Sequence, residues 1–329
     1  MNKILSISLN PAVDISSTAE AVKPTVKIRT RNQVHDPGGC GVNVARVIAT
    51  LGGRPKLLYM AGGATGALLR QILDVPSIEQ HCVTASAPTR ISYTVRDLER
   101  ELEYRFIPEG PAINQREFQQ VLDIVEQLDF EYVVATGSLP KNAPQDAYAQ
   151  IANIAARKGA RVILDSSGSA LSETLEQANI FLVKPSLEEM EQLTGKSLDP
   201  EQAGDEALKI IRRGKVENIA VSMGGQGALL ATASGVCFAS APTVTLGSAV
   251  GAGDSFVAAM TFALANDVVI EEAFHLGIAA GSAAVMTTGT QLCRREDVIR
   301  LYKQESACRD HQEVERLLSA LDADPSSPQ

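Results

Sequence analysis

A glycine-rich turn late in the chain carries the strongest chemical signal. It reads Gly251-Ala252-Gly253-Asp254 and opens a predicted helix whose buried stripe includes Phe256, Met260 and Leu264. The first N–H groups of a helix have no internal partner and lie at its positive end, which suits a phosphate or a developing anion. A carboxylate in that turn can take a proton from an attacking hydroxyl, as phosphoryl transfer requires. The alternative of equal weight is that Asp254 merely caps the helix.

A second glycine-rich run, from Asp36 to Ala45, predicts a tight turn followed by a helix. Asn43 lies in the first turns of that helix, where its amide can bind a sugar hydroxyl. The dinucleotide fingerprint G-x-G-x-x-G fails, because Val44 stands at the third glycine position after Gly39 and Gly41. An NAD-dependent oxidoreductase is therefore a poor interpretation of the pattern.

Two weaker signals have ordinary explanations beside the functional one. The turn from Ser222 to Gly227 follows a predicted strand, so it suits a nucleotide but equally the entry to a hairpin. The basic residues Lys27, Arg29 and Arg90 can bind a substrate phosphate in an otherwise acidic protein. Without further context, solvated strand charges are the favoured explanation of those three.

The bulk composition excludes several classes of protein. A net charge of -9 and a pI near 5.1 argue against a nucleic-acid-binding or anionic-membrane surface. The five cysteines are scattered without a C-x-x-C pair, which predicts neither a disulfide framework nor a zinc site and fits reduced thiols in the cytoplasm. We find no signal peptide and no apolar stretch of transmembrane length. A Walker A motif also fails, because Met190 stands where its first glycine is required ahead of Gly195-Lys196-Ser197.

The order of elements predicts an α/β fold with a mostly parallel sheet between helices. Short apolar runs that alternate with amphipathic helical segments extend from Lys3 to Thr287. Two polar, alternating stretches interrupt this pattern: Val26–Val34, and a hairpin made of Ile91–Leu98 and Glu101–Ile107. We expect them to form a small sheet, the lid, inserted at about residues 12–36 and 88–108 into a single domain spanning 1–322. Residues 323–329 are expected to be a disordered tail.

Taken together, the two glycine-rich blocks resemble the signatures of the ribokinase/PfkB family over about residues 3–305. Their joint presence is far more specific than either block alone. Within the family the chain is most similar to the phosphofructokinase branch. The residues that carry this likeness are Leu9-Asn10-Pro11-Ala12-Val13-Asp14, Gly38 to Arg46, Ala61 to Gly66, Thr136-Gly137-Ser138-Leu139-Pro140 and Gly289 to Cys293.

The resemblance implies a Rossmann-like ribokinase fold with a β lid, and homodimers that pair through the lids. It implies Asp254 as the general base and the turn from Gly251 to Asp254 as the anion hole. By the same likeness, the sugar phosphate is held by Asp14, Lys27, Arg29, Gly38, Gly39, Asn43, Arg90 and Ser138. The ATP site is lined by Lys184, Ser186, Ser222, Gly224 and Gly227.

The chain departs from the family pattern at three places. The magnesium motif N-x-x-E becomes Ser186-Leu187-Glu188-Glu189, so Glu189 keeps its place while serine replaces asparagine. Asp165 is a second metal candidate. Cys40 replaces what is commonly glycine and is expected to crowd the sugar site or make it sensitive to thiol reagents. A K⁺ loop near Ser248, Val250 and Gly289 matches only partly.

The expected reaction is transfer of the ATP γ-phosphate, with Mg²⁺, to the 1-hydroxyl of fructose 6-phosphate. The alternatives within the family are a tagatose 6-phosphate kinase and a 1-phosphofructokinase. A different class is a sugar-phosphate sensor that keeps the fold without catalysis, which the altered Ser186 favours and the intact Asp254 opposes. The sequence leaves fructose 6-phosphate and tagatose 6-phosphate unranked, because they differ at one stereocentre.

Overall fold

The structure, a computed structural model, describes residues 3–305 and 311–322. Its strands are β1 Ile4–Ser8, β2 Ala12–Ala19, β3 Thr30–Gly38, β4 Lys56–Ala61, β5 Glu79–Thr84, β6 Arg90–Asp97, β7 Leu102–Phe106, β8 Tyr132–Thr136, β9 Arg161–Asp165, β10 Ile180–Val183, β11 Val216–Ser222, β12 Ala228–Thr232 and β13 Gly235–Ala239. Its α-helices are α1 Cys40–Thr50, α2 Gly63–Ile72, α3 Gln115–Gln127, α4 Ala147–Arg157, α5 Gly168–Gln177, α6 Leu187–Thr194, α7 Pro200–Arg212, α8 Ala252–Ala265, α9 Ile270–Val285, α10 Arg295–Glu305 and α11 His311–Asp322.

The larger sheet has nine strands in the order β13-β12-β11-β10-β9-β8-β1-β4-β5. The strands from β11 to β5 run parallel, and β12 and β13 add an antiparallel edge. Strand β1 is buried throughout, which fits its unbroken apolar run. Because the strands are parallel, the residues that follow β1, β8, β9, β10 and β11 meet at one edge of the sheet, where ligands bind in folds of this kind.

Helices cover both faces of this sheet. Helices α1, α8 and α9 pack on one face, with Phe256 and Phe274 in edge-to-face contact at 6.0 Å between ring centroids. Helices α3, α4 and α7 lie on the other face around Tyr148 and Phe118. The α/β class and the mostly parallel sheet predicted from the sequence are confirmed. Burial of α8 on nearly all sides holds its first turn in a fixed place.

The lid is a separate four-stranded sheet in the order β3-β2-β6-β7. Strand β2 pairs with β6 in parallel and with β3 antiparallel, while β6 and β7 form an antiparallel pair. Register places Asp14 opposite both Asp36 and Ser92, so these side chains share one face of the lid. That face contacts the loop between α9 and α10, because Asp36 accepts a hydrogen bond from Thr290 at 2.6 Å.

Several sequence predictions need correction. The stretch Val26–Val34 was expected to be a strand, but β3 begins at Thr30 and residues 21–29 form a loop. Thr25 in that loop has φ 64°, a left-handed conformation that turns the chain out of the sheet. The sequence suggests that Asp14 lies near the end of the first strand, because it closely follows that apolar run, but the structure places it inside β2 of the lid. The predicted tail at 323–329 lies outside the described residues.

Strand β5 and helices α5, α10 and α11 were not predicted from the sequence, and β2 lies within the predicted lid insertion at residues 12–36. Strand β5 reads Glu-Gln-His-Cys-Val-Thr and is half exposed, because it is the edge of the large sheet. Within residues 3–305 and 311–322, none of the helices combines the length and apolarity needed to cross a bilayer.

Candidate active site

The turn before α8 is built as the sequence predicts. Gly251 is the residue before the helix and has φ 73°, a left-handed conformation that favours glycine. Ser255 N–H donates to Gly251 O at 2.8 Å, so the amides of Ala252, Gly253 and Asp254 precede the first intrahelical bond. These groups have no acceptor within the helix, and Asp254 is the acidic residue of its first turn.

The carboxylate of Asp254 is held by a residue of the other glycine-rich run. Asn43 Nδ2 donates to Asp254 Oδ2 at 2.8 Å, and the Cys40 thiol also interacts with this carboxylate. Burial raises the pKa of Asp254, and the negative charge of Asp165 raises it further. The bonds from Asn43 and Cys40 and the charge of Lys184 oppose that shift. The result is a carboxylate of raised basicity beside an open helix terminus.

The run from Gly38 to Asn43 wraps tightly around the end of β1. Gly39 precedes α1 with φ 99°, and a Cβ there would lie 2.7 Å from the Cα of Pro11. A Cβ on Gly38 would lie 2.1 Å from Asp14 Oδ2, so glycine lets the Asp14 carboxylate approach the backbone. Asn43 itself is buried, at 6% exposure. The two glycines therefore let the Asp14 carboxylate and the backbone at Pro11 pack directly against the turn that leads to Asn43.

Asp14, Arg90 and Ser138 gather at one corner of the site. Desolvation raises the pKa of Asp14 to about 6, while Ser92 and the charge of Arg90 act in the opposite direction. Arg90 Nη2 donates to Asn10 O at 2.9 Å, and Asn10 Nδ2 donates to Ser138 Oγ at 3.1 Å. The corner thus offers a carboxylate, a guanidinium and a hydroxyl, which suits a sugar that carries an anionic group.

Tyr148 and Arg46 support the site, and sequence reasoning missed both. Tyr148 Oη donates to the carbonyls of Thr136 and Gly137, at 2.9 and 3.0 Å, and so fixes the turn that carries Ser138. Arg46 Nη1 donates to Pro37 O at 2.7 Å. The sequence signal that could have identified Arg46 is its place at the end of the Gly38-to-Arg46 motif.

Lys27 and Arg29 are not brought to this corner by contacts within the chain. Both are exposed and lie in the loop between β2 and β3, whereas Arg90 begins β6 and is half-buried. The structure therefore separates the predicted basic set into Arg90, inside the site, and two residues on the lid surface.

Lys184 and Asp165 form a buried ion pair beside the anion hole. Lys184 Nζ lies 3.1 Å from Asp165 Oδ1, with side-chain exposures of 6% and 12%. Burial alone would lower the pKa of Lys184, but Asp165 and Glu189 outweigh it, and the net shift is upward. A Cβ on Gly253 would lie 3.6 Å from Lys184 Nζ, so a fixed positive charge sits next to the turn. That charge adds to the electrostatic attraction for a phosphate.

The two predicted metal ligands are already engaged. Asp165 pairs with Lys184, and Glu189 Oε2 accepts the Ser186 N–H at 2.8 Å while Ser186 Oγ accepts from Glu189 N at 3.2 Å. This is a capping box at the start of α6. In the described ranges no group of three or more His, Cys, Asp or Glu residues is placed to hold a metal. This donor set fits Mg²⁺ only where most of the ligands come from outside the protein, from water or phosphate.

The predicted nucleotide turn lies one strand away, after β11. Ser222 N–H donates to Pro185 O at 3.0 Å, and Ser186 pairs with Ser222 in an isolated parallel bridge. Gly224 is exposed with φ 56°, and a Cβ there would meet no atom within 4 Å. Gly227 is buried with φ 110°, where a Cβ would strike Ala239 O at 2.1 Å. The turn presents open backbone beside Lys184 and Ser186.

The segment around Ser248 joins the lid to the anion hole. Ser248 Oγ donates to Glu103 Oε1 of β7 at 3.2 Å and accepts from Val250 N at 3.3 Å. Arg96, the cross-strand neighbour of Glu103, donates from Nη1 to Gly247 O at 3.3 Å. Gly289 packs against Ser16 of β2. The lid therefore contacts the backbone immediately before Gly251.

The fold and this site are those of a sugar kinase: an open helix N-terminus, a buried carboxylate beside it and a corner of polar side chains next to a lid. A comparison with known families matches residues 1–297 to the pfkB family carbohydrate kinases. The chain belongs to this family.

Curated relatives agree with that assignment. The chain is 38% identical over 305 residues to the ATP-dependent 6-phosphofructokinase isozyme 2 of Mycobacterium tuberculosis, covering 92% of this chain and 89% of the relative. It is 38% identical over 304 residues to the protein of the same name from Escherichia coli, covering 92% and 98%. It is 33% identical over 286 residues to the 1-phosphofructokinase of Bacillus subtilis, covering 86% and 93%.

Solved structures are similar over the same span. The E. coli phosphofructokinase-2 in complex with substrates and products has a TM-score of 0.89 at 37% identity, covering 92% of this chain and 99% of that one. The same enzyme in complex with potassium has a TM-score of 0.88 at 37% identity, with the same coverage. The Arabidopsis thaliana ribokinase, at 22% identity and a TM-score of 0.72 over 92% and 99% of the two chains, shares the fold. The predicted ribokinase-like fold is confirmed.

Proposed function

We propose that this kinase transfers the γ-phosphate of ATP to the 1-hydroxyl of fructose 6-phosphate, giving fructose 1,6-bisphosphate. The observation that carries the proposal is the position of Asp254, in the first turn of α8 and bonded to Asn43. The named 6-phosphofructokinase relatives, at 38% identity over most of the chain, support the choice of substrate.

In this account Asp254 accepts the proton of the sugar hydroxyl as that oxygen attacks the γ-phosphorus. The raised pKa of Asp254 makes it a stronger base than an exposed aspartate. The amides of Ala252, Gly253 and Asp254 bind the negative charge of the transferred group, and Lys184 adds a positive charge beside them. The remaining requirement is positioning, which phosphoryl transfer depends on heavily.

The corner formed by Asp14, Arg90 and Ser138 holds the sugar phosphate. Asp14, Gly38, Gly39, Asn43 and Ser138 serve the hydroxyls. Arg90 serves the phosphate already present, since a guanidinium matches phosphate geometry and keeps its charge when partly buried.

Homodimerisation through the lid would order Lys27 and Arg29 and so complete the basic set that Arg90 begins. Most of the exposed large apolar side chains in the described ranges lie in or next to the lid, among them Val26, Ile28, Val34 and Phe106. Val26 is 60% exposed and Phe106 58%, which favours a protein interface. Val26 and Ile28 flank Lys27, so burying them against a second lid would order the loop that carries Lys27 and Arg29.

ATP is expected to lie along the turn at Gly224, with its phosphates toward Lys184. Mg²⁺ would arrive on the nucleotide, held on the protein side by Glu189, with Asp165 kept as the partner of Lys184. When bound, Mg²⁺ neutralises charge between the nucleotide phosphates. K⁺ is proposed for the loop at Ser248, Val250 and Gly289, supported by the potassium complex of the related E. coli enzyme.

The cytoplasm is the proposed compartment, because Cys40, Cys82, Cys237 and Cys293 are free thiols and ATP is the substrate. A 1-phosphofructokinase activity is the second candidate, favoured by the B. subtilis relative. That activity would use the same base on fructose 1-phosphate, which carries its phosphate at the opposite end of the sugar. Tagatose 6-phosphate kinase differs only in the stereocentre accepted.

The test is ADP release from MgATP with purified protein and a panel of fructose 6-phosphate, tagatose 6-phosphate, fructose 1-phosphate and unphosphorylated fructose. We expect the highest kcat/KM with fructose 6-phosphate and little turnover of fructose. A preference for fructose 1-phosphate would select the second candidate. Binding of sugar phosphates without ADP release would instead identify a sensor.

A further inference from the structure

Asn10 connects two of the side chains expected to bind the substrate. It follows β1 at the edge of the sheet where the site lies, and it is 6% exposed. Its Nδ2 donates to Ser138 Oγ at 3.1 Å, and its main-chain carbonyl accepts from Arg90 Nη2 at 2.9 Å. One buried residue therefore contacts both the hydroxyl and the guanidinium of the sugar-phosphate corner.

Two polar atoms of this group are buried without a protein partner. They are the acceptor Asn10 Oδ1 and the donor Arg90 Nε. A buried polar group without a hydrogen bond is costly, so it is uncommon in a folded protein unless a ligand or water completes it. Here the unpaired acceptor and the unpaired donor belong to neighbouring residues, because Arg90 also donates a hydrogen bond to the Asn10 carbonyl. A molecule with both a hydroxyl and an anionic group would satisfy the pair.

The carboxamide of Asn10 has little freedom to turn away from this arrangement. A Cβ on Gly110 would lie 2.1 Å from Asn10 Oδ1 and 2.5 Å from its Nδ2, so glycine packs closely on the amide plane. The other end of the amide is committed to Ser138. Since Nδ2 is engaged as a donor, Oδ1 is presented as an acceptor in a fixed direction.

We infer that Asn10 is a specificity-determining residue whose Oδ1 accepts a hydrogen bond from one hydroxyl of the sugar phosphate. Its Nδ2 at the same time positions Ser138. The inference rests on the proposed function and adds to it one residue and one hydroxyl. A site built to bond a hydroxyl discriminates strongly against an analogue that lacks it, because a buried acceptor is then left unpaired.

The test combines Asn10→Ala with fructose 6-phosphate and its 3-deoxy and 4-deoxy analogues. Wild type is expected to lose about tenfold or more in kcat/KM when the contacted hydroxyl is missing. In Asn10→Ala we expect that penalty to disappear for the same hydroxyl, the KM for fructose 6-phosphate to rise, and the KM for ATP to stay unchanged. Ser138→Ala is the comparison variant: it removes the partner of Asn10 Nδ2 but keeps Oδ1, so the discrimination is expected to weaken less than in Asn10→Ala.

If Asn10→Ala lowered kcat/KM relative to wild type by the same factor for all three sugars, the inference would be overturned, because that result would show a merely structural role. Unchanged kinetics in Asn10→Ala would overturn it as well. Asn10→Ser is a second variant, to be used if the alanine form unfolds, and its shorter side chain is expected to lose the same discrimination. Wild type without any turnover of fructose 6-phosphate would contradict the proposed function instead, so the two failures are distinguishable.

Discussion

Asn43 and Asp254 lie 211 positions apart in the chain, yet a 2.8 Å hydrogen bond joins their side chains. Each belongs to one of the two glycine-rich blocks, and each lies in the first turns of its own helix. Helices α1 and α8 pack on the same face of the large sheet, which brings their N-termini together. The bond therefore places the proposed base and the proposed hydroxyl-binding amide within reach of one substrate oxygen.

The pH dependence of stability should change when Asp14 is replaced by Asn. The pKa of Asp14 is raised from 3.8 to about 6 by burial, so folding disfavours its ionised form. A carboxyl with a raised pKa costs stability above that pKa, and the cost fades as the pH falls toward the unfolded value. Asp14→Asn is expected to be more stable than wild type near neutral pH, on the order of 2 kcal/mol, even though it is less active.

Urea unfolding of both proteins between neutral pH and about pH 4 checks this expectation. The advantage of Asp14→Asn should shrink through pH 6 and be mostly lost at the acidic end. A variant that is less stable than wild type at neutral pH would contradict the account of this carboxylate. Asp36→Asn, a change on the same lid face, is the control, and its side-chain oxygen can still accept the bond from Thr290.

The buried pair of Lys184 and Asp165 allows stability and catalysis to be separated. Lys184→Met leaves the Asp165 carboxylate buried without its partner and is expected to cost about 3–5 kcal/mol of unfolding free energy. The double variant Lys184→Met with Asp165→Asn removes both charges and should recover most of that loss. Neither the single nor the double variant should be active, because both lack the positive charge beside Gly253.

Thermal or urea unfolding measures the first part of this expectation, and ADP release measures the second. If the double variant recovered both stability and turnover, Lys184 would have no role beyond neutralising Asp165. Lys196→Met is a suitable control, since Lys196 pairs with Glu206 at 2.6 Å on the surface and should change neither property.

Cys40 should make the enzyme sensitive to thiol alkylation. Its thiol interacts with Asp254, and a bulky adduct there would occupy the sugar site. Burial raises the pKa of Cys40 well above the usual thiol value, and the charges of Asp254 and Asp165 raise it further. Alkylation by N-ethylmaleimide should therefore be slow at neutral pH, accelerate as the pH rises, and be blocked by the sugar phosphate.

Cys40→Gly is expected to keep most of its activity and to resist the reagent. The exposed Cys237 provides the control, because Cys237→Ala should remain as sensitive as wild type. Equal inactivation of Cys40→Gly and wild type would show that another cysteine is responsible.

Glu103 of the lid should affect turnover although it lies outside the predicted substrate contacts. It accepts from Ser248 Oγ, which in turn accepts from Val250 N just ahead of the Gly251 turn. Glu103→Ala is expected to loosen this backbone and to lower kcat by about tenfold to a hundredfold, since small displacements are costly in phosphoryl transfer.

Steady-state kinetics compare Glu103→Ala with Glu99→Ala. Glu99 is a lid carboxylate of the same charge whose partner is Lys23 at 3.7 Å on the surface, so its loss should have little effect. Equal kinetics of the two variants would remove the lid contact from the account of the anion hole.

The sequence contained enough to predict the fold class and the two glycine-rich turns. Parallel strands are recognisable as buried apolar runs, and Gly39 and Gly251 stand where a left-handed backbone or close packing requires glycine. Strand β5 was not predicted, because it is a half-exposed edge strand in which apolar and polar residues do not alternate. Strand β2 lies within the predicted lid insertion, but it follows β1 so closely that its own bounds could not be predicted.

The supporting residues of the site could not be predicted in the same way. Tyr148 lies in α4, and its contact with the turn at Gly137 depends on how that helix packs on the sheet. Glu189 was expected to bind metal, but a serine three positions earlier also makes a capping box, and the spacing suits both. In the sequence, Lys27, Arg29 and Arg90 are all basic residues of the predicted lid. The structure places Arg90 at the start of β6 and the other two in the loop between β2 and β3.

The most direct test of the account is kcat for Asp254→Asn against wild type, with MgATP and fructose 6-phosphate. The asparagine keeps the size of the side chain and can still contact Asn43, so the fold and the two KM values should change little. We expect kcat to fall by about 10²–10⁴-fold, the range that a general base contributes. A variant that retained kcat within about tenfold of wild type, below that range, would contradict the assignment of Asp254 as the base.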